Sequence, residues 1–68
     1  MHRVDTAGHI NNRFQDEDPQ NNIEGTVVDD NWLNAVQEEL AGIIEEAGIT
    51  LQKGQHDQLV NALARLRS

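Results

Sequence analysis

The sequence lacks cysteine and tyrosine, and it contains only one tryptophan and one phenylalanine among its 68 residues. Without cysteine, neither a disulfide nor a thiolate-bound metal can stabilise so short a chain. No apolar run approaches the roughly 18 residues of a membrane-spanning helix, and residues 1–5 lack the apolar stretch of a secretory signal. We therefore expect one small domain outside the membrane, with a limited hydrophobic core.

Basic residues are also scarce. Five lysines and arginines stand against twelve acids, which gives a net charge of −7, and residues 14–52 contain ten acids and no base. A chain of this charge is repelled by the phosphate backbone, so we do not expect it to bind nucleic acid.

The residue types that carry catalysis are too few or too scattered to form a site. Ser68 is the only serine, and the three histidines (His2, His9 and His56) are isolated in the sequence. The run 16–18 is acidic, but Asn21 stands where a calcium loop needs glycine. We predict a protein that is not an enzyme and that has no metal or cofactor.

Residues 1–28 are rich in polar and turn-forming residues and have no clear periodicity. Such a segment buries too little apolar surface to fold alone, so we expect it to be disordered or to form an extended N-terminal arm held by another structure. Two short strands, near Val4 and at residues 26–28, are compatible with the pattern.

Residues 29–47 predict an amphipathic helix, because their apolar residues fall within an arc about 120° wide on a helical wheel. Asp29 can cap the first turn of this helix. Gly48 can end it in a left-handed conformation, which brings Ile49 back onto Ile44.

A second helix is predicted over about residues 56–67, with an apolar stripe formed by Leu59, Leu63 and Leu66 and flanked by Ala62. The predicted fold class is mainly α. A helical hairpin over residues 29–68 forms the oligomerisation module, and an extended, mostly irregular N-terminal arm occupies residues 1–28.

The apolar face of the first helix contains two heptads. This pattern fits either an ordinary helix packed on its own chain or a helix at the axis of a self-associating bundle. The second helix offers too few apolar side chains to cover the first, which favours self-association, and the mixed Ile and Leu positions favour three chains. We predict a trimeric helical bundle with an interface formed by Leu33, Val36, Leu40, Ile43, Ile44 and Ala47.

The two aromatic residues are candidates for contact with a partner. Trp32 lies in the first turn of the first predicted helix, at the edge of the apolar arc. A tryptophan in this position either packs beneath the N-terminal arm or contacts another chain. Phe14, in the predicted arm, is the second candidate.

The segment GTVVDDNWLNAVQEEL, residues 25–40, resembles a segment of the tail fibre proteins of tailed bacteriophages and prophages. Residues 2–14 (HRVDTAGHINNRF), 47–51 (AGITL) and 58–63 resemble its flanks. The resemblance implies a trimeric, non-enzymatic virion component that attaches a fibre to the tail or organises its three strands, with other phage tail proteins as partners. It also implies a location in the virion tail, and in the host cytoplasm during assembly.

Tail fibre proteins usually continue into a shaft and a receptor-binding tip, whereas this sequence ends at Ser68. We therefore expect either a fragment or a short stand-alone assembly module. An alternative from another class is a small acidic phage-encoded inhibitor, which would bind a host protein by mimicking the charge of nucleic acid.

Overall fold

The computed structural model covers residues 1–68 and contains two α-helices and no sheet. Helix α1 spans Asp30–Glu46 and helix α2 spans Gln58–Leu66, after a short 3₁₀ helix at Pro19–Asn21. The mainly helical fold class is confirmed. Helix α2 begins later than the periodicity predicts, because Asp57 has a non-helical backbone conformation (φ −126°, ψ 9°).

The chain divides into two compact units, Met1–Ala35 and Val36–Ser68. The first unit contains the irregular N-terminal segment and the first turns of α1. The second contains the later turns of α1, a connector and α2. The predicted boundary at residue 28 separates an arm from an oligomerisation module, and this functional division stays a prediction.

No strand forms in the first unit. Its bridges are isolated and join Ile10 to Arg13 and Asp18 to Ile23. The short strands suggested near Val4 and at residues 26–28 are absent, so the irregular segment is held together by other means.

A polar network around Gln15 folds the N-terminal segment back on itself. The side-chain nitrogen of Gln15 donates to the carbonyl oxygens of Gly8 and Glu24, at 3.0 Å in both cases. The Thr26 hydroxyl donates to the same Gly8 oxygen at 3.0 Å and accepts the backbone N–H of Gln15 at 2.8 Å. The segment is therefore not the extended arm that its composition predicts, because polar side chains bridge its backbone groups where apolar packing is scarce.

In the second unit, the end of α1 forms the predicted Schellman motif. Gly48 has a φ of +79°, and its N–H donates to the carbonyl oxygen of Glu45 at 2.9 Å. The N–H of Ile49 donates to the carbonyl oxygen of Ile44 at 3.2 Å. Both bonds satisfy carbonyl groups that the helix end leaves free.

Very little of the chain is buried. Val4 and Ala62 are the buried apolar residues, at 3% and 0% exposure, and no large side chain is fully buried. Each unit therefore contains a single buried apolar residue, far fewer than a stable isolated domain normally has.

Candidate oligomerisation surface

Helix α1 is positioned by its caps. The side-chain oxygen of Asp29 accepts the backbone N–H of Trp32 at 3.1 Å, which confirms the predicted N-cap. The Schellman motif fixes the other end at Gly48, so the helix contains every predicted interface residue except Ala47, which directly follows its last residue, Glu46. The orientation of its side chains then follows from the helical repeat alone.

The predicted interface residues of α1 lie on one face and are incompletely covered. Leu33 is 50% exposed and Leu40 is 42% exposed. The remaining members are half-buried: Val36, Ile43, Ile44 and Ala47. Glutamates 38, 39, 45 and 46 of the same helix are all exposed. The helix therefore has one partly open apolar face and one acidic face, while the interface role of the apolar face stays a prediction.

Helix α2 packs through its smallest apolar residue. Ala62 is completely buried and Gln58 is 8% exposed, whereas Leu63 and Leu66 are 50% and 48% exposed. The inner face of α2 is therefore centred on Ala62 and Gln58, and of the predicted leucine stripe only Leu59 is half-buried.

Arg65 connects α2 to the end of α1. Its guanidinium donates to the carbonyl oxygen of Ala47 at 3.4 Å. A cation in this position interacts favourably with the partial negative charge at a helix C-terminus. Arg65 therefore acts on the backbone at the end of the helix.

Phe14 and Trp32, the two predicted partner-contact residues, pack on each other. Their ring centroids are 4.9 Å apart and the ring planes are inclined by 73°, an edge-to-face arrangement. Trp32 is half-buried, but Phe14 remains 42% exposed. The tryptophan therefore packs against the N-terminal segment, as one of the two sequence-based interpretations proposes.

A groove of about 480 Å³ adjoins this aromatic pair. Its lining is formed by Met1, His2, Arg3, Val4, Asn12, Arg13, Phe14 and Trp32. The indole nitrogen of Trp32 is buried and has no hydrogen-bond acceptor. The groove thus combines two aromatic residues with basic side chains.

Sequence reasoning missed two glutamines that organise the fold. Gln15 bridges distant loop carbonyls, and the buried Gln58 bonds to the connector before α2. The only available signal for Gln58 is its position four residues before Ala62, on the same helical face. Gln15 gives no such signal, because the groups that it bonds lie in turns without periodicity.

No group of three or more histidine, aspartate or glutamate side chains is arranged to hold a metal ion. Neither helix has the length and apolar character needed to cross a membrane.

The chain is 40% identical over 73 residues to the uncharacterized protein StfP of Escherichia coli (strain K12). This similarity covers 97% of the chain and 35% of StfP, so the chain spans about a third of that relative. No family model and no solved structure matches the chain.

Proposed function

We propose that this chain is a non-enzymatic assembly module of a phage tail fibre, in which three copies associate along α1. The observation that carries this proposal is the scarcity of buried apolar residues, limited to Val4 and Ala62. The resemblance of residues 25–40 to tail fibre segments supports the biological setting. The similarity to StfP over 97% of the chain supports reading these residues as one module of a longer protein.

Self-association would cover apolar surface that one copy leaves open. The twelve large apolar residues that are 40% or more exposed are Met1, Ile10, Phe14, Ile23, Val27, Val28, Leu33, Leu40, Leu51, Val60, Leu63 and Leu66. Burial contributes about 25 cal/mol for each Å² of apolar area, and a standard protein interface buries about 800 Å² on each partner. Burying part of this exposed apolar surface between copies is the main way in which the chain can gain stability.

Three copies are favoured by the composition of the α1 face. Isoleucine and leucine are mixed over the heptad positions, and Ile44 widens the apolar seam. The exposed glutamates lie on the other side of the helix and would remain in solvent. In this arrangement the module would join the three strands of a fibre, within the virion tail and in contact with other tail proteins.

The oligomeric state provides the direct test. Sedimentation equilibrium of the purified chain at micromolar concentration should give three times the chain mass of 7.6 kDa. The variant Leu40→Asp should give a largely unfolded monomer, because each of the three copies would then bury an unpaired charge on the apolar face of α1. Asn34→Asp is the matched control: it adds the same charge at an exposed position of α1 outside the apolar arc, and it should remain trimeric.

A wild-type chain that sediments as a monomer would contradict the proposal. So would a folded trimer of Leu40→Asp, seen by circular dichroism and sedimentation together. Mass spectrometry of purified phage particles tests the setting, since a tail component must be present in them.

The acidic-inhibitor alternative is supported by the exposed glutamates of α1 and the net charge of −7. It differs in its partners: an inhibitor retrieves a basic host protein from a lysate, whereas a fibre module retrieves virion proteins. Absence of the chain from purified particles, together with capture of a basic host protein, would favour the inhibitor.

A further inference from the structure

The groove beside Phe14 and Trp32 concentrates positive charge in an acidic chain. Its lining includes His2, Arg3 and Arg13 but no aspartate or glutamate, although the chain as a whole has twelve acids. Arg3 and Arg13 are the only lysines or arginines among residues 1–35. Neither guanidinium makes a hydrogen bond or an ion pair within the chain.

We propose that a second copy of the chain completes this groove, with its carboxylates bound by Arg3 and Arg13 and its backbone or side chains covering Trp32. This inference rests on the proposed function and adds a second contact between copies, formed by the first unit. The groove would thereby become part of the subunit interface.

Charge complementarity identifies the occupant. Every copy supplies twelve carboxylates, and the guanidinium group binds a carboxylate through two parallel hydrogen bonds. The exposed ring of Phe14 gives the same contact an apolar component.

Threefold symmetry makes this contact geometrically possible for all copies at once. In a ring of identical chains, a surface of one copy meets a different surface of the next copy. Each groove can therefore receive acidic residues from its neighbour, and the ring closes with all three grooves occupied. The pairing would also offset part of the repulsion between copies that each carry a charge of −7.

The chain contains its own reporter for this contact. Trp32 is the only tryptophan and tyrosine is absent, so intrinsic emission comes from the groove. The experiment dilutes three proteins and follows their dissociation and their Trp32 emission. They are wild type, the double variant Arg3→Gln/Arg13→Gln and the double variant Lys53→Gln/Arg67→Gln. The two double variants have the same net charge, and Lys53 and Arg67 are exposed residues outside the groove.

We expect the groove variant to raise the concentration at the midpoint of dissociation about tenfold or more, because each lost arginine leaves carboxylates of the neighbour unpaired. Its Trp32 emission should lie at longer wavelength at concentrations where wild type is assembled. The Lys53 and Arg67 variant should keep the wild-type emission and a midpoint within about threefold of wild type. Circular dichroism should show equal helix content in all three proteins.

If wild type is a trimer but the two double variants dissociate at the same midpoint concentration, this inference is wrong, whereas the proposed trimer is not contradicted. A trimer that dissociates without any change in Trp32 emission would also overturn this inference, because the groove would then be uncovered in the assembled trimer. An acidic segment of another protein could in that case bind the groove. A monomeric wild type would contradict the proposed function itself, together with this inference.

Discussion

The side-chain nitrogen of Gln58 donates a hydrogen bond to the carbonyl oxygen of Thr50 at 2.9 Å. Its side-chain oxygen accepts the backbone N–H of Gln52 at 3.1 Å. One buried amide therefore satisfies two backbone groups of the connector before α2. Because Gln58 is also the first residue of α2, it fixes the connector to the helix.

Replacing Gln58 by alanine should lower the free energy of unfolding by about 1–3 kcal/mol, because the Thr50 carbonyl and the Gln52 N–H lose their partners. Urea denaturation followed by circular dichroism measures this change. The matched control is Gln55→Ala, an exposed glutamine of the same connector, for which we expect a change within about 0.5 kcal/mol. Equal losses for the two variants would show that the Gln58 amide does not stabilise the connector.

Replacing Asp29 by alanine should destabilise α1 by about 1 kcal/mol, because the Trp32 N–H loses its capping acceptor. Asp29→Asn keeps a side-chain oxygen in the same place and should stay close to wild type. Thermal unfolding followed by circular dichroism distinguishes the two variants. If Asp29→Asn is as damaging as Asp29→Ala, the negative charge matters more than the hydrogen bond.

Replacing Gly8 by alanine should destabilise the first unit by about 1–3 kcal/mol. Gly8 has a φ of +85°, and a Cβ atom there would lie 2.5 Å from the carbonyl oxygen of Gly25. The new methyl group would push apart the chain segments that Gln15 and Thr26 join. Denaturation followed by Trp32 fluorescence reports on this unit, and unchanged stability would mean that the two segments are not close in solution.

Replacing Gly42 by alanine should have the opposite effect and raise stability by about 0.5–1 kcal/mol. Gly42 lies inside α1, and a Cβ atom built there meets no atom of the chain within 4 Å. The position is opposite the apolar arc, so the proposed trimer should remain intact when measured by sedimentation. Loss of the trimer in Gly42→Ala would place another copy against this side of α1.

The features that could be predicted from the sequence depend on interactions between residues close together in the chain, and those that could not depend on contacts between distant residues. Helix α1 and both of its ends were predictable, since Asp29, Gly48 and Ile49 act on backbone groups within five residues. The inner face of α2 was not, because periodicity gives equal weight to Leu63 and Ala62, whereas packing buries the smaller residue.

The prediction for the N-terminal segment, residues 1–28, was wrong for a different reason. Its low apolar content suggests that it cannot fold, but Gln15 and Thr26 hold it through bonds to residues up to 18 positions away. Composition cannot indicate such partners, since any glutamine or threonine could in principle make them.

The sequence by itself determined the mainly helical class, the extent and caps of α1, the acidic charge and the shortage of apolar residues for a core. Tertiary structure decided that the N-terminal segment folds back, that Phe14 packs on Trp32, and that α2 buries Ala62 while Leu63 and Leu66 stay exposed. The difference is physical: helix periodicity and capping depend on neighbours along the chain, whereas burial depends on which distant segments reach one another.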